Sequence, residues 1–185
     1  VNLFACQTLN TFTAAGRSRM SAEYCAQIPL PRWSAMQLYF LRHAEAVPDG
    51  ERPLTDDGVK QSRRVGKALR KLGVTVCAIY TSPLVRAAQT ADHVGAALGI
   101  RPQVTDLLSC GADLADLREL LDRHGPEDVV MLVGHEPDFS TMVGQLIGAA
   151  NVDMKKAGIA LVDCAEIAAG RGMLKWLSPP KFIRG

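Results

Sequence analysis

The chain has no apolar run near the roughly 18–20 residues that a helix needs to cross a bilayer, because charges or glycines interrupt each apolar stretch. An integral membrane helix is therefore not expected. Nor is there a stripe of basic residues. Lys and Arg number 21 against 19 Asp and Glu, for a formal net charge of +2, and the cations are scattered, so nothing favours a nucleic-acid partner. The five cysteines, Cys6, Cys25, Cys77, Cys110 and Cys164, are odd in number and contain no C-x-x-C pair. That spacing suggests neither a disulfide framework nor a thiolate zinc site, and it fits a reducing, cytoplasmic setting. Internal repeats and low-complexity tracts are missing as well. What remains is 185 residues, 48% hydrophobic and 22% charged, the composition of a globular protein long enough to bury a core.

Val1 to Ala35 shows no sustained periodicity, and Pro29 and Pro31 precede the first patterned segment at Met36. The expected organisation is an unpatterned N-terminal extension over 1–35 and one domain over 36–185. Arg17, Arg19, several Ser and Thr, and Glu23 as the one acid give the extension some character of a transit peptide. Upstream sequence translated ahead of a natural start at Met36 is the preferred reading.

From Met36 onward, short apolar runs alternate with amphipathic ones, which predicts an α/β domain with helices on both faces of a mostly parallel sheet. Gln37 to Leu41 reads as the first strand. Thr55 caps the next helix, Asp56 and Asp57 occupy its positive first turn, Val59, Val65, Ala68, Leu69 and Leu72 form its apolar stripe, and Gly73 stops it. Val76 to Thr81 is a second strand, with Ser82 and Pro83 opening a helix that runs toward Gly99. Val104 to Leu108 is a weaker third strand, and Leu114 to Arg123 a helix. Val129 to Val133, apolar throughout, should be a central strand buried on both faces. Pro137 starts a helix through Ile147, and Ile159 to Cys164 with Met173 to Leu177 make a closing hairpin around Gly170 and Gly172.

Three clusters of polar residues fall just beyond the carboxyl ends of expected strands, where open α/β sheets hold their ligands. They are Arg42-His43-Ala44-Glu45, Ser82-Pro83 with Arg86, and Gly134-His135-Glu136-Pro137, where Gly134 is read as permitting a tight turn. Together they supply two guanidiniums, two imidazoles and a helix N-terminus. That set suits a phosphoryl group, since the arginine fork engages two phosphate oxygens and neutral imidazole offers a nucleophilic nitrogen. No cofactor is called for. A metal held by His43 and His135 with Glu45 or Glu136 is disfavoured, because two arginines beside it would repel a divalent cation. His93 and His124 lie outside any motif and are read as surface or packing residues, and Cys110, which lacks a legible base, is not read as a nucleophile.

At these residues the sequence resembles the histidine phosphatase superfamily, which includes phosphoglycerate mutases and acid phosphatases. Its signature is an Arg-His-Gly-type motif after the first strand, here Leu41-Arg42-His43-Ala44-Glu45 with alanine in the glycine position. More narrowly, the segments 39–46, 52–55, 81–90 and 133–137 resemble the small SixA-type phosphohistidine phosphatases, over Met36 to Gly185. The resemblance implies a compact phosphoglycerate mutase-like fold. It also implies that His43 carries the phosphoryl group and that Arg42, Arg86 and His135 hold phosphate.

Between Leu108 and the helix beginning near Asp113 lies only a short loop, Ser109 to Ala112, so no lid insertion is expected. An open site would admit a phosphorylated side chain still attached to a protein, and phosphotransfer domains of histidine kinases are the substrate class that the resemblance implies. The missing lid also leaves no obvious acid, which suits phosphohistidine better than an ester. Two alternatives stand beside this reading: a broad phosphomonoesterase using Glu45, Asp106 or Asp113 as its acid, and a module that binds phosphohistidine without cleaving it.

Overall fold

The computed structural model describes residues 35–149 and 151–183; apart from Ala35, the expected N-terminal extension lies outside them. In chain order the elements are β1 (Met36–Arg42), α1 (Asp56–Lys71), β2 (Ala78–Thr81), α2 (Val85–Leu98), β3 (Gln103–Val104), a 3-10 turn (Asp106–Leu108), α3 (Leu114–Leu121), β4 (Val129–Gly134), α4 (Asp138–Ile147), β5 (Ile159–Cys164), β6 (Gly172–Ser178) and a 3-10 turn (Pro180–Phe182). One sheet of order β3-β2-β4-β1-β5-β6 holds all the strands. β1, β2, β3 and β4 run parallel, and β5 and β6 are antiparallel additions at one side.

Successive side chains of a strand point to opposite faces, and both faces of this sheet are apolar. Leu38 and Phe40 of β1, with Val130 and Leu132 of β4, pack against α3 and α4 through Leu117, Leu121, Phe139 and Met142. Tyr39 and Leu41, with Met131 and Val133, pack on the other face against Val65 and Leu69 of α1 and Ala87, Ala91 and Val94 of α2. The helices thus change face between the halves of the parallel sheet, and β1 lies beside β4 where they do so. In such sheets that is where a crevice opens at the carboxyl ends of the strands. The phosphoglycerate mutase-like α/β architecture expected from the sequence is the one observed, with no lid insertion.

Local signals account for the first helix. The Thr55 hydroxyl accepts from the Gly58 amide at 3.0 Å, and acids and bases sit at the ends that the helix dipole favours, Asp56 and Asp57 first and Arg70 and Lys71 last. Leu72 departs from the expected stripe: it is the C-cap residue and 74% exposed. Other boundaries shift as well. β2 begins at Ala78, two residues late, and α3 stops at Leu121. The expected strand at Val104 to Leu108 shrinks to two residues, because the Thr105 hydroxyl accepts from the Leu107 amide at 3.3 Å and turns the chain into a 3-10 coil. Leu84, not Ser82, is the N-cap of α2, and Pro137 caps α4 from just outside it.

Gly134 does not serve the turn for which its sequence position suggested it, as its φ is not positive. A Cβ there would meet the Phe139 ring at 2.6 and 2.7 Å, and that ring is buried edge-on against Phe40 at 5.3 Å between centroids. Gly134→Ala is therefore expected to destabilise the protein by about 1–3 kcal/mol, as overpacking does. Urea unfolding checks this, and an unchanged midpoint would show that Phe139 can yield.

Candidate active site

In the β1–β4 ladder Arg42 stands opposite Gly134, so the next residues, His43 and His135, leave adjacent parallel strands side by side. Their ring centroids are 5.2 Å apart. The loop carrying His43 is fixed through its backbone: the His43 amide donates to Gly134 O at 2.9 Å, the Ala157 amide donates to His43 O at 3.1 Å, and the Ala44 amide donates to Thr90 Oγ1 at 3.1 Å. Thr90 in turn donates to Arg86 O at 2.7 Å, which ties the first turn of α2 to the same loop. Ala44, in the glycine position of the motif, is fully buried and does not adopt a positive φ, so the methyl group costs the loop nothing.

The His43 ring has a defined tautomer. Its Nδ1 lies 2.7 Å from Ala44 O, a group that only accepts, so Nδ1 carries the hydrogen and Nε2 keeps its lone pair. That lone pair accepts from Arg86 Nε at 3.3 Å. Arg86 is 8% exposed and His135 2%; the His135 ring meets Ser82 Oγ through Nε2 at 2.8 Å. This contact explains why Ser82 is drawn away from capping α2. Arg42 Nη1 donates to Met154 O at 2.7 Å. Two buried nitrogens of the group, Arg42 Nε and His135 Nδ1, have no hydrogen-bond partner among the described residues.

Burial among cations sets the charge state. Desolvation, and then Arg86, Arg42 and Arg52, push the pKa of His43 down from 6.5 to about 4. Desolvation, Arg86, His43, Arg52 and Arg42 push His135 down to about 3. Both rings are thus neutral where a nucleophile must be. The linkage has a definite sign: between pH 6.5 and 4 the unfolded chain binds protons that the folded one refuses, so stability falls as pH drops through that window and is unaffected above it. NMR titration of the His43 ring should give a midpoint near 4, and one near 6.5 would remove the electrostatic account.

Arg52 was not singled out as a site residue from the sequence, although it falls within a matching segment. It is exposed, with a left-handed φ of 54°, and its charge acts on His43, His135 and Arg86. Only the folded loop brings it near. Arg86 does not pair with Asp56 or Asp57; Asp57 pairs with Lys60, and Cys110 is among the groups that act on the Arg86 guanidinium. Two of the three candidate acids have other partners. Glu45 accepts from Gln61 Nε2 at 3.4 Å, Asp113 caps α3 by accepting from the amides of Ala115 and Asp116, and Asp106 is exposed at the start of its 3-10 turn. A cleft lined by Leu69, Leu72, Trp176 and Phe182 lies on the α1 face; its apolar lining offers no phosphoryl chemistry, so chemistry and not concavity locates the site.

Residues 38–109 match the model of the histidine phosphatase superfamily, branch 1. An uncharacterised protein of Picosynechococcus is 38% identical over 136 residues, 67% of this chain and 82% of its own length. The chain belongs to the histidine phosphatase superfamily. Like other phosphatases of the superfamily it is a hydrolase, and it is related to the SixA type. The phosphohistidine phosphatase SixA of Escherichia coli is 29% identical over 155 residues, 78% of this chain and 94% of its own. A solved structure of the protein histidine phosphatase SixA complexed with tungstate superposes with a TM-score of 0.70 at 28% identity, covering 79% of this histidine phosphatase and 98% of that chain. No helix among the described residues is long and apolar enough to cross a membrane.

Proposed function

We propose that this histidine phosphatase removes phosphoryl groups from protein phosphohistidine through a covalent intermediate on His43. One observation carries the nucleophile: Nε2 of His43 keeps its lone pair because Nδ1–H is bound to Ala44 O, and Arg86 Nε donates to that lone pair at 3.3 Å. Nε2 would attack phosphorus as the substrate's P–N bond breaks. The Arg42 and Arg86 guanidiniums, with His135, would offset charge on the equatorial oxygens. Water would then attack phosphorus and break the His43–P bond, returning His43 with its hydrogen on Nδ1 and releasing inorganic phosphate. The unpartnered Arg42 Nε and His135 Nδ1 suit oxyanion ligands, and the related SixA was solved with tungstate, a tetrahedral dianion like phosphate.

The choice of phosphohistidine over an ester rests on the acids. An alkoxide needs a proton to leave, whereas a substrate imidazole already protonated on its other nitrogen leaves neutral. Glu45 is held by Gln61, Asp113 is committed to capping, and Asp106 is exposed to solvent, so the leaving step is assigned no carboxylic acid from these three. Replacing Glu45, Asp106 or Asp113 singly by its amide should lower kcat on phosphohistidine by less than about threefold, far below the roughly 10²–10⁴-fold usual for a general acid. A large loss in any one, with phosphate binding unchanged, would favour a phosphomonoesterase.

The substrate class is tested by offering phosphorylated phosphotransfer domains of histidine kinases and simple phosphate esters side by side and measuring phosphate release. Turnover confined to the phosphorylated domains is expected. Preference for the esters overturns the substrate assignment, and binding with neither turnover nor a trapped phosphoenzyme would mark a recognition module.

A further inference from the structure

At the opposite end of the sheet from His43, Cys77 meets His124 and Asp128, which lie four positions apart. Cys77 precedes β2, His124 follows α3 and Asp128 precedes β4; one ligand atom from each lies within 4.8 Å of the other two. His124 Nδ1 is 2.9 Å from Asp128 Oδ2 and 3.8 Å from Cys77 Sγ. Its other nitrogen, Nε2, is 3.0 Å from the Tyr80 hydroxyl. The spacing of cysteines along the chain hides this cluster, since Cys77 comes from the α1–β2 connection and His124 and Asp128 from the α3–β4 connection.

We infer that Cys77, His124 and Asp128 form a binding site for a borderline-soft divalent cation of the zinc class, independent of the phosphatase site. Thiolate, imidazole and carboxylate are the three donor types zinc takes, and tetrahedral zinc sets such donor atoms about 3.3–3.7 Å apart. The sulfur–nitrogen separation of 3.8 Å lies just above that range and has to close by about 0.2 Å, and the nitrogen–oxygen pair has to open by about half an ångström. Tyr80 supplies what a metal-bound histidine usually has, a partner for its remote nitrogen that fixes ring and tautomer. At neutral imidazole, Asp128 can only accept, so Nδ1 carries the hydrogen in the metal-free protein. On binding, the imidazole hydrogen relocates to Nε2 and is donated to the Tyr80 oxygen, Nδ1 and the Cys77 thiolate bind the cation, and the thiol proton leaves to solvent. Cys77 is exposed and His124 and Asp128 half-buried, so an ion can reach the donors from solvent, and a fourth position is left for water.

Cobalt(II) added to the full chain is the direct test, since a thiolate–cobalt bond gives a near-ultraviolet charge-transfer band. The band should appear at one equivalent, vanish on zinc addition and be lost in Cys77→Ser, an exposed and nearly isosteric change that should leave fold and phosphatase turnover intact. Tyr80→Phe should keep the band but weaken cobalt binding about tenfold, the effect of removing an outer partner. Zinc should raise the melting temperature of the parent and not of Cys77→Ser. No band in the parent, a band of equal strength in Cys77→Ser, or equal zinc stabilisation of both proteins overturns the site.

Discussion

His43→Ala is expected to lower turnover by at least about 10⁴-fold, since single removal of a nucleophile costs this much or more in enzymes that proceed through a covalent intermediate. The fold should survive. The loop is held by backbone contacts that alanine preserves, His43 N to Gly134 O, Ala157 N to His43 O and Ala44 N to Thr90 Oγ1, and the adjoining strands keep their packing. What is lost locally is the Nδ1–H bond to Ala44 O and the acceptor for Arg86 Nε, worth about 1–2 kcal/mol between them. The variant should also lose part of the stability decline below pH 6.5, because the folded state no longer contains this ring that resists protonation. Rapid-quench labelling is the sharper measurement: the parent should carry a phosphoryl group stable to base and labile to acid, and His43→Ala none. Hydrolysis above about one per cent of the parent rate would remove His43 from the mechanism.

The parallel-sheet core was legible because its rule is simple. Val129 to Val133 is apolar at every position, which a strand buried on both faces requires, and the structure places it between β2 and β1. Thr55, Asp56 and Gly73 marked the ends of α1 for equally local reasons. The misses are positions where a tertiary contact decided. Ser82 looked like a helix cap, and it is instead engaged by His135 across 53 positions of sequence; Gly134 looked like a turn residue, and its hydrogen side chain makes room for Phe139. Arg52 lay in a recognisable segment, but only its left-handed backbone and the loop it ends bring its charge to both histidines. His124 and Asp128 are four positions apart, but nothing in the spacing brings Cys77 to them across 47 positions. The juxtaposition of His43 and His135, by contrast, follows from register alone once β1 and β4 are neighbours, since both follow paired residues.

Arg86 offers the second large effect and separates charge from geometry. Arg86→Ala should cost roughly 10³-fold or more in kcat/KM, in line with arginines that act on a transferring phosphoryl group, and Arg86→Lys should recover no more than about tenfold of that. Arg86 is 8% exposed and directs Nε at Nε2 of His43, the proposed nucleophile, which on that reading leaves its two terminal nitrogens as a planar fork for phosphoryl oxygens. An ammonium is a point charge on a flexible stem and cannot serve both. The pH profile distinguishes the two losses. Arg86 is among the groups that hold the pKa of His43 at about 4, so without its charge that pKa rises, and the acid limb of kcat/KM in Arg86→Ala should move to higher pH. In Arg86→Lys the positive charge is retained, so the limb should stay near that of the parent while the rate remains low. A lysine variant with parental kcat/KM would mean that charge alone suffices at this position. An alanine variant whose acid limb does not move would mean that Arg86 exerts no electrostatic hold on the nucleophile.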